Sequence, residues 1–116
     1  MLFRSQAKDA LLRVCRYLMA LRMHAEGWTV DRATRYFMEH AHMAEAPART
    51  EAERATYDPL TLAYTHGKLE ILRLRDDLQR KEGAAFSLSR FHERLLRQGQ
   101  VPFWFHRAEM LGDSTP

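Results

Sequence analysis

Six histidines, one cysteine and fifteen carboxylates are the groups in this 116-residue sequence with the capacity to hold a metal or move a proton. Their spacing decides which chemistry is open to them. A helix-borne hydrolytic zinc site needs two histidines one turn apart, with a glutamate between them to activate water. The nearest match is His92-Glu93-Arg94-Leu95-Leu96, where Leu96 stands in place of the second ligand. His40 and His42 are two residues apart, so on a helix they face different ways. Cys15 is the only cysteine, which excludes an internal disulfide and a cysteine-based zinc site. Six histidines without a ligand spacing argue against a complete metal site in this chain. A phosphate-cradling glycine loop, a nucleophile elbow and a kinase signature are all missing as well.

The stretch DPLTLAYTHGKLEILRLRDD, residues 58–77, is different. It opens a helix with Tyr64, His66 and Gly67 where leucines would pack better. Either the packing there is poor, or something outside this chain sits against it. Tyr64 falls on an apolar stripe, so a core tyrosine is the ordinary reading, and for His66 it is simple exposure. Charge is also uneven. The net charge is +3, with eight Lys/Arg against five Asp/Glu in residues 1–50 and ten of each in residues 51–116. Arg4, Lys8, Arg13, Arg16 and Arg22 face only Asp9 before Glu26. Such a patch can contact nucleic acid or an acidic partner, although a solvated helix face explains it too. The chain has no lysine-rich run and no nucleic-acid motif, so no nucleic-acid partner is expected.

The elements that must position these groups are helical. Apolar residues make up 46% of the chain, enough for a modest core. Ala7, Leu11, Val14, Leu18, Leu21 and Ala25 recur at helical spacing and predict a helix from about Phe3 to Glu26. Leu12, Cys15, Met19 and Met23 add a second apolar strip. The apolar face is then too wide for a lone surface helix, and Cys15 reads as a buried, inert thiol. Gly27 supplies the stop. Thr29 caps a second helix, with Asp31 in its first turn and Val30, Ala33, Phe37 and Ala41 as its stripe. Pro47 breaks the pattern, and Thr50-Glu51-Ala52-Glu53 reads as a capping box opening a short third helix.

Asp58-Pro59, a cap followed by a first-turn proline, predicts a fourth helix to about Glu82. Leu60, Tyr64, Gly67, Ile71, Leu74 and Leu78 share one of its faces, and Arg73 pairs with Asp77 on its solvated side. Gly83 ends it. Ser87 caps a fifth helix with Leu88, Phe91 and Leu95 inward, ending near Gly99. Pro102 opens a last helix whose Phe103, Trp104 and Phe105 suit a core or an interface. No segment alternates as a strand would. The expectation is an all-α chain of five to six helices with short connections, as one helical domain over residues 1–112 and a disordered tail at 113–116. No run approaches a membrane span and the N-terminus is not a signal peptide. No membrane contact is therefore expected. Cytoplasm is the default location unless the chain is a fragment of an exported protein.

Three stretches carry a resemblance. They are HAEGWTVDRATRYFME (residues 24–39), EAERATYDPLTLAYTHGKLEILRLRDD (51–77) and GAAFSLSRFHERLLRQG (83–99). From about Leu12 to Leu111 the sequence resembles the C-terminal part of the domain of unknown function 885 family, bacterial helical proteins similar to zinc metallopeptidases. The resemblance implies a zincin-like peptidase fold whose zinc ligands, a His-Glu-x-x-His motif and a later glutamate, lie upstream of Met1. Zinc is thus a cofactor of the full-length family, with none held by this chain. It further implies that this chain supplies the other wall of the cleft. His24 and Tyr64 would be donors to substrate or to the oxyanion of peptide hydrolysis, and Gly67 and Arg54 would be substrate-binding positions. The chain departs from the family pattern at Ala20, where an aspartate is usual, and at Arg22, Thr61 and His66. For His24 the plain alternative is a helix C-terminal cation.

Two functions follow. One is a peptidase portion, inactive alone, that needs its upstream half. The other is a stand-alone helical interaction module, homo-oligomeric or partner-binding, that has lost the chemistry. Self-association through the first and last helices is expected. The width of the first helix's apolar face separates the two, because a severed portion leaves a sizeable patch uncovered.

Overall fold

The structure, a computed structural model, describes residues 2–112. The tail expected at 113–116 lies outside the described residues. Among the described residues there are six α-helices and no strand: α1 (Leu2–Glu26), α2 (Val30–His40), α3 (Glu45–Tyr57), α4 (Ala63–Glu82), α5 (Leu88–Arg97) and α6 (Phe103–Leu111). Short 3-10 turns occupy Pro59–Leu62 and Gly83–Ala85. No described helix is long and apolar enough to cross a membrane. The chain divides into two compact units, Met1–Gly67 and Lys68–Pro116.

In the first unit α2 and α3 pair with each other and α1 packs on both, with the Pro59–Leu62 turn also against α1. α1 ends where sequence places its stop: Gly27 takes φ +68, a left-handed conformation that costs an L side chain about 1–2 kcal/mol. The Thr29 hydroxyl accepts from the Arg32 N–H at 3.3 Å and caps α2. α3 begins five residues earlier than the predicted capping box. Pro47 is no breaker, because it sits in the first turn, where N–H groups have no intrahelical partner to lose. Thr50 is therefore mid-helix, its hydroxyl donating to the Ala46 carbonyl at 3.2 Å. Asp58 does not cap with its side chain. The Arg54 guanidinium takes that carboxylate instead, and Pro59–Leu62 enters α4 as a 3-10 turn.

The core of this unit is Cys15, Met19, Ala33, Phe37, Ala48, Ala52 and Ala55. Ala48, Ala52 and Ala55 repeat at spacings of 4 and 3, so α3 presents a face with almost no side-chain bulk. Its backbone can therefore approach closely, and Phe37 and Met19, both fully buried, supply the volume. Burial holds the Cys15 thiol above its ordinary pKa, keeping it protonated and poorly nucleophilic. The buried strip of α1 is the second one found in the sequence: Cys15 and Met19, flanked by Leu12 and Met23. The first and more regular strip is mostly uncovered, with Leu11, Val14 and Leu21 exposed at 36%, 44% and 41%. Periodicity shows that a face is apolar. It does not show which of two faces finds a partner within the chain.

The second unit gathers Leu74 and Leu78 of α4 with Phe91 of α5 and Met110 of α6. Of the stripe predicted along the fourth helix, only Leu74 and Leu78 are buried, whereas Leu60, Tyr64 and Ile71 are exposed. Gly83 ends α4 at φ +55, and the Ser87 hydroxyl accepts from the Arg90 N–H at 3.4 Å to cap α5. Phe91 carries the inward face of α5, with Leu95 half-buried and Leu88 exposed. Trp104 is exposed and Phe103 packs beside the cluster. Arg73 pairs with Glu70 at 2.7 Å, not with Asp77 as expected. Asp77 accepts from Arg80 on its own helix and from Arg107 of α6 at 2.9 Å. These bonds hold the Asp77 carboxyl below the usual carboxylate range, despite some opposition from burial.

Two outcomes follow from this packing. Phe37→Ala should cost about 3–5 kcal/mol and Ala52→Leu about 1–3 kcal/mol, the latter because no space exists for the added methylenes. Urea denaturation of both variants checks these values. For Asp77 the folded-state pKa is depressed, so its contribution is present above the unfolded value of about 3.9 and is lost as pH falls through the folded value. Asp77→Asn should therefore flatten the fall in unfolding midpoint below about pH 4, measured in urea series from neutral to acid pH.

Candidate functional site

A groove of about 450 Å³ runs along α1 in the first unit. Arg13 and Arg16, one turn apart, supply the α1 side. The C-terminal end of α3 supplies Arg54 and Asp58, the 3-10 turn Leu60 and Thr61, and the first turn of α4 Tyr64. Tyr64 and Arg54, two of the four positions singled out from sequence, thus meet in one groove. Tyr64 is 74% exposed and is not a core tyrosine. The groove-lining residues Arg13, Arg16 and Asp58 were not proposed as site residues. The only signal for the two arginines was the excess of basic residues along the first helix, and Asp58 was legible only as a helix cap.

Each charged group has a defined relation to its neighbours. The Arg16 guanidinium forks onto Glu51 of α3, Nε to Oε2 at 2.8 Å and Nη2 to Oε1 at 2.5 Å. Both side chains are largely buried, and the hydrogen bond to Glu51 raises the Arg16 pKa further above its already high ordinary value. Arg54 donates from Nε and Nη2 to one Asp58 carboxylate oxygen, both at 3.3 Å. Arg13 lies with its guanidinium carbon 5.9 Å from the Tyr64 ring centroid, a cation–π geometry. The Thr65 hydroxyl donates to the Arg13 carbonyl at 3.2 Å, and the His66 ring lies parallel to that of Tyr17 at 6.4 Å. The first turn of α4 is thereby fastened to α1 by polar and stacking contacts, which explains its lack of leucines.

His24 does not line this groove. Its Nε2 lies 2.9 Å from the Ala55 carbonyl oxygen. A carbonyl only accepts, so Nε2 carries the proton, and the other ring nitrogen donates only when the ring is a cation. Gly67 has open space around it, with nothing within 4 Å of where a Cβ would stand. Among the described residues no three of His, Cys, Asp and Glu converge as a metal-ligand set. His92 and Glu93 are exposed on α5. His106 is buried, its Nδ1 2.5 Å from Gln98 Oε1.

A second cluster escaped the sequence reading. Arg22 and Arg32 lie over the Trp28 ring at 4.7 and 3.7 Å from its centroid, and Arg22 is also 5.4 Å from that of Tyr36. They border a recess of about 310 Å³. Arg22 is one of the positions that depart from the family pattern, and stacking on two rings gives it a structural role.

These helices and this groove define an all-α protein with a cationic, aromatic-edged recess. The chain belongs to the family described as bacterial protein of unknown function (DUF885), whose family model matches residues 5–110. No curated protein and no solved structure matches the chain.

The Arg16–Glu51 fork ties the groove-lining Arg16 to α3. Glu51→Ala should destabilise the chain by about 2 kcal/mol, the scale of hydrogen bonds to a charged partner that is left half-buried. Thermal or urea unfolding measures the loss. Glu51→Gln should recover part of it by keeping one acceptor oxygen.

Proposed function

We propose that this chain is the helical, substrate-side portion of a zinc-dependent peptidase-like protein, a C-terminal part of a zincin-like fold that does not catalyse alone. The observation that carries this reading is the uncovered ridge on α1. Leu11, Val14 and Leu21 form a regular apolar row on a helix whose other face is already packed. A chain that is finished as a monomer rarely leaves such a row in water. The exposure of Tyr64 beside Arg54 in the groove supports the same reading.

The reaction of the parent protein is hydrolysis of a peptide or similar amide bond. Zinc is the group the resemblance implies, and its chemistry is the polarisation of a carbonyl and the activation of water. The residues described here do not fit a zinc ion, so no step of this chain is routed through one. What this chain offers is positioning and hydrogen bonding. The Tyr64 hydroxyl is the donor offered to an oxyanion, and one such donor is worth about 3 kcal/mol. His24, with Nε2 committed to the Ala55 carbonyl, fixes the end of α3. Arg54, held by Asp58, lines the substrate side.

The competing reading is an interaction module in which the same ridge meets a symmetric partner. One experiment separates the two. A family polypeptide carrying the His-Glu-x-x-His helices is mixed with this chain in the presence of zinc. Association and peptide hydrolysis are expected, with no hydrolysis by this chain alone. Val14→Glu should abolish association. Tyr64→Phe should leave association intact and lower the rate about 100- to 1,000-fold. Hydrolysis by the purified chain alone would sink the proposal. Homodimerisation lost in Val14→Glu, with no association in trans, would hand the ridge to the module reading.

A further inference from the structure

We infer that the α1 groove binds a peptide through its free C-terminal carboxylate, with Arg13 as the counter-ion. This deepens the reading of the groove as a substrate wall and rests on it. Three guanidinium groups line the recess against one carboxylate, Asp58. Arg16 is matched by Glu51 and Arg54 by Asp58. Arg13 alone of the three is paired with no carboxylate among the described residues, and its place over the Tyr64 ring keeps it at the groove edge. The recess therefore carries a surplus of one positive charge. That suits a monoanion better than a dianion such as a phosphate monoester, which would also meet the Asp58 carboxylate.

The donor set has the matching form. A guanidinium is a planar fork of N–H donors with no acceptor. A carboxylate offers two acceptor oxygens in the same plane, so both partners are satisfied at once. Beside them Leu60 is 74% exposed. It gives the terminal residue's side chain an apolar surface that nothing else in the unit uses. A volume of about 450 Å³ falls in the range of small-ligand sites, about 300–1,000 Å³.

The test uses the full chain and three probes: acetyl-alanyl-alanyl-phenylalanine, its C-terminal amide, and inorganic phosphate. Binding is followed by calorimetry and by chemical shifts of α1 and the first turn of α4. The free acid should bind about tenfold or more tightly than the amide, the scale of one charge-assisted hydrogen-bonded pair. Arg13→Ala should remove that difference while leaving helical content unchanged. Arg13→Lys should keep part of it. Acid and amide binding equally, with both weakened by Tyr64→Ala, would overturn carboxylate recognition and leave the substrate-wall reading standing. Binding of neither peptide would overturn the inference, while the trans-complementation rate of Tyr64→Phe judges the parent reading separately. Phosphate binding as tightly as the free acid would reduce the groove to a general anion site and also overturn the inference.

Discussion

The close approach of α3 through its alanine face governs what the first unit can do. Ala48, Ala52 and Ala55 project almost nothing, so the helix backbone comes near enough for Phe37 and Met19 to fill the space between elements. A leucine at any of these positions would push α3 outward. That displacement would reach the polar layer at once. Arg16 of α1 meets Glu51 of α3 as a fork with heavy-atom distances of 2.5 and 2.8 Å. Such a pair tolerates little movement, since hydrogen-bond strength falls steeply with distance and angle. Glu51 and Ala52 are sequence neighbours, so the apolar contact and the ionic one are set by the same turn of helix. Arg54 and Asp58 follow on the next turn and form the far side of the groove. The recess thus depends on the small side chains beneath it.

How far the sequence revealed this architecture depended on the scale of the signal. Local signals were readable because they are backbone chemistry: Thr29 and Ser87 as caps, and Gly27, Gly83 and Gly99 at positive φ. Pro47 and Thr50 misled because a proline and a capping-box pattern each have two readings. A first-turn proline begins a helix as readily as an interior one ends it. Thr50 could cap only if the chain were not already helical, and Glu45 had started the helix. Asp58 misled for a related reason. Its carboxylate had a charged suitor one turn back in Arg54, stronger than any backbone N–H ahead of it.

The candidate site was readable in part. Tyr64 stood out because a ring with a hydroxyl occupied a stripe position, and the structure leaves it in water. Arg13 and Arg16 were visible only as members of a charge excess. Nothing in the sequence says that Arg16 is consumed by Glu51, 35 residues away, while Arg13 is left beside Tyr64. Pairing between distant residues is a tertiary property, and periodicity carries no information about it. The two strips of α1 make the same point. Both have helical spacing, and only packing distinguishes the strip through Cys15 and Met19 from the strip through Leu11 and Val14.

The uncovered ridge and the groove lie on different faces of the same helix, and this separation has a functional consequence. On a 100° repeat, Leu11, Val14 and Leu21 fall within one-quarter of the α1 circumference, with Arg13 and Tyr17 on an adjoining quarter. A partner that covers the ridge need not fill the groove. It can instead deepen it, since a second wall raised beside Arg13 would exclude water and strengthen every charge–charge contact inside. Tyr64 and Leu60 stand exposed at the groove. Those side chains are too apolar to favour water, yet a leucine-packed helix start would close the groove. Stability surrendered there is recovered by the Thr65–Arg13 bond and the Tyr17–His66 stack, which fasten the same turn without filling it.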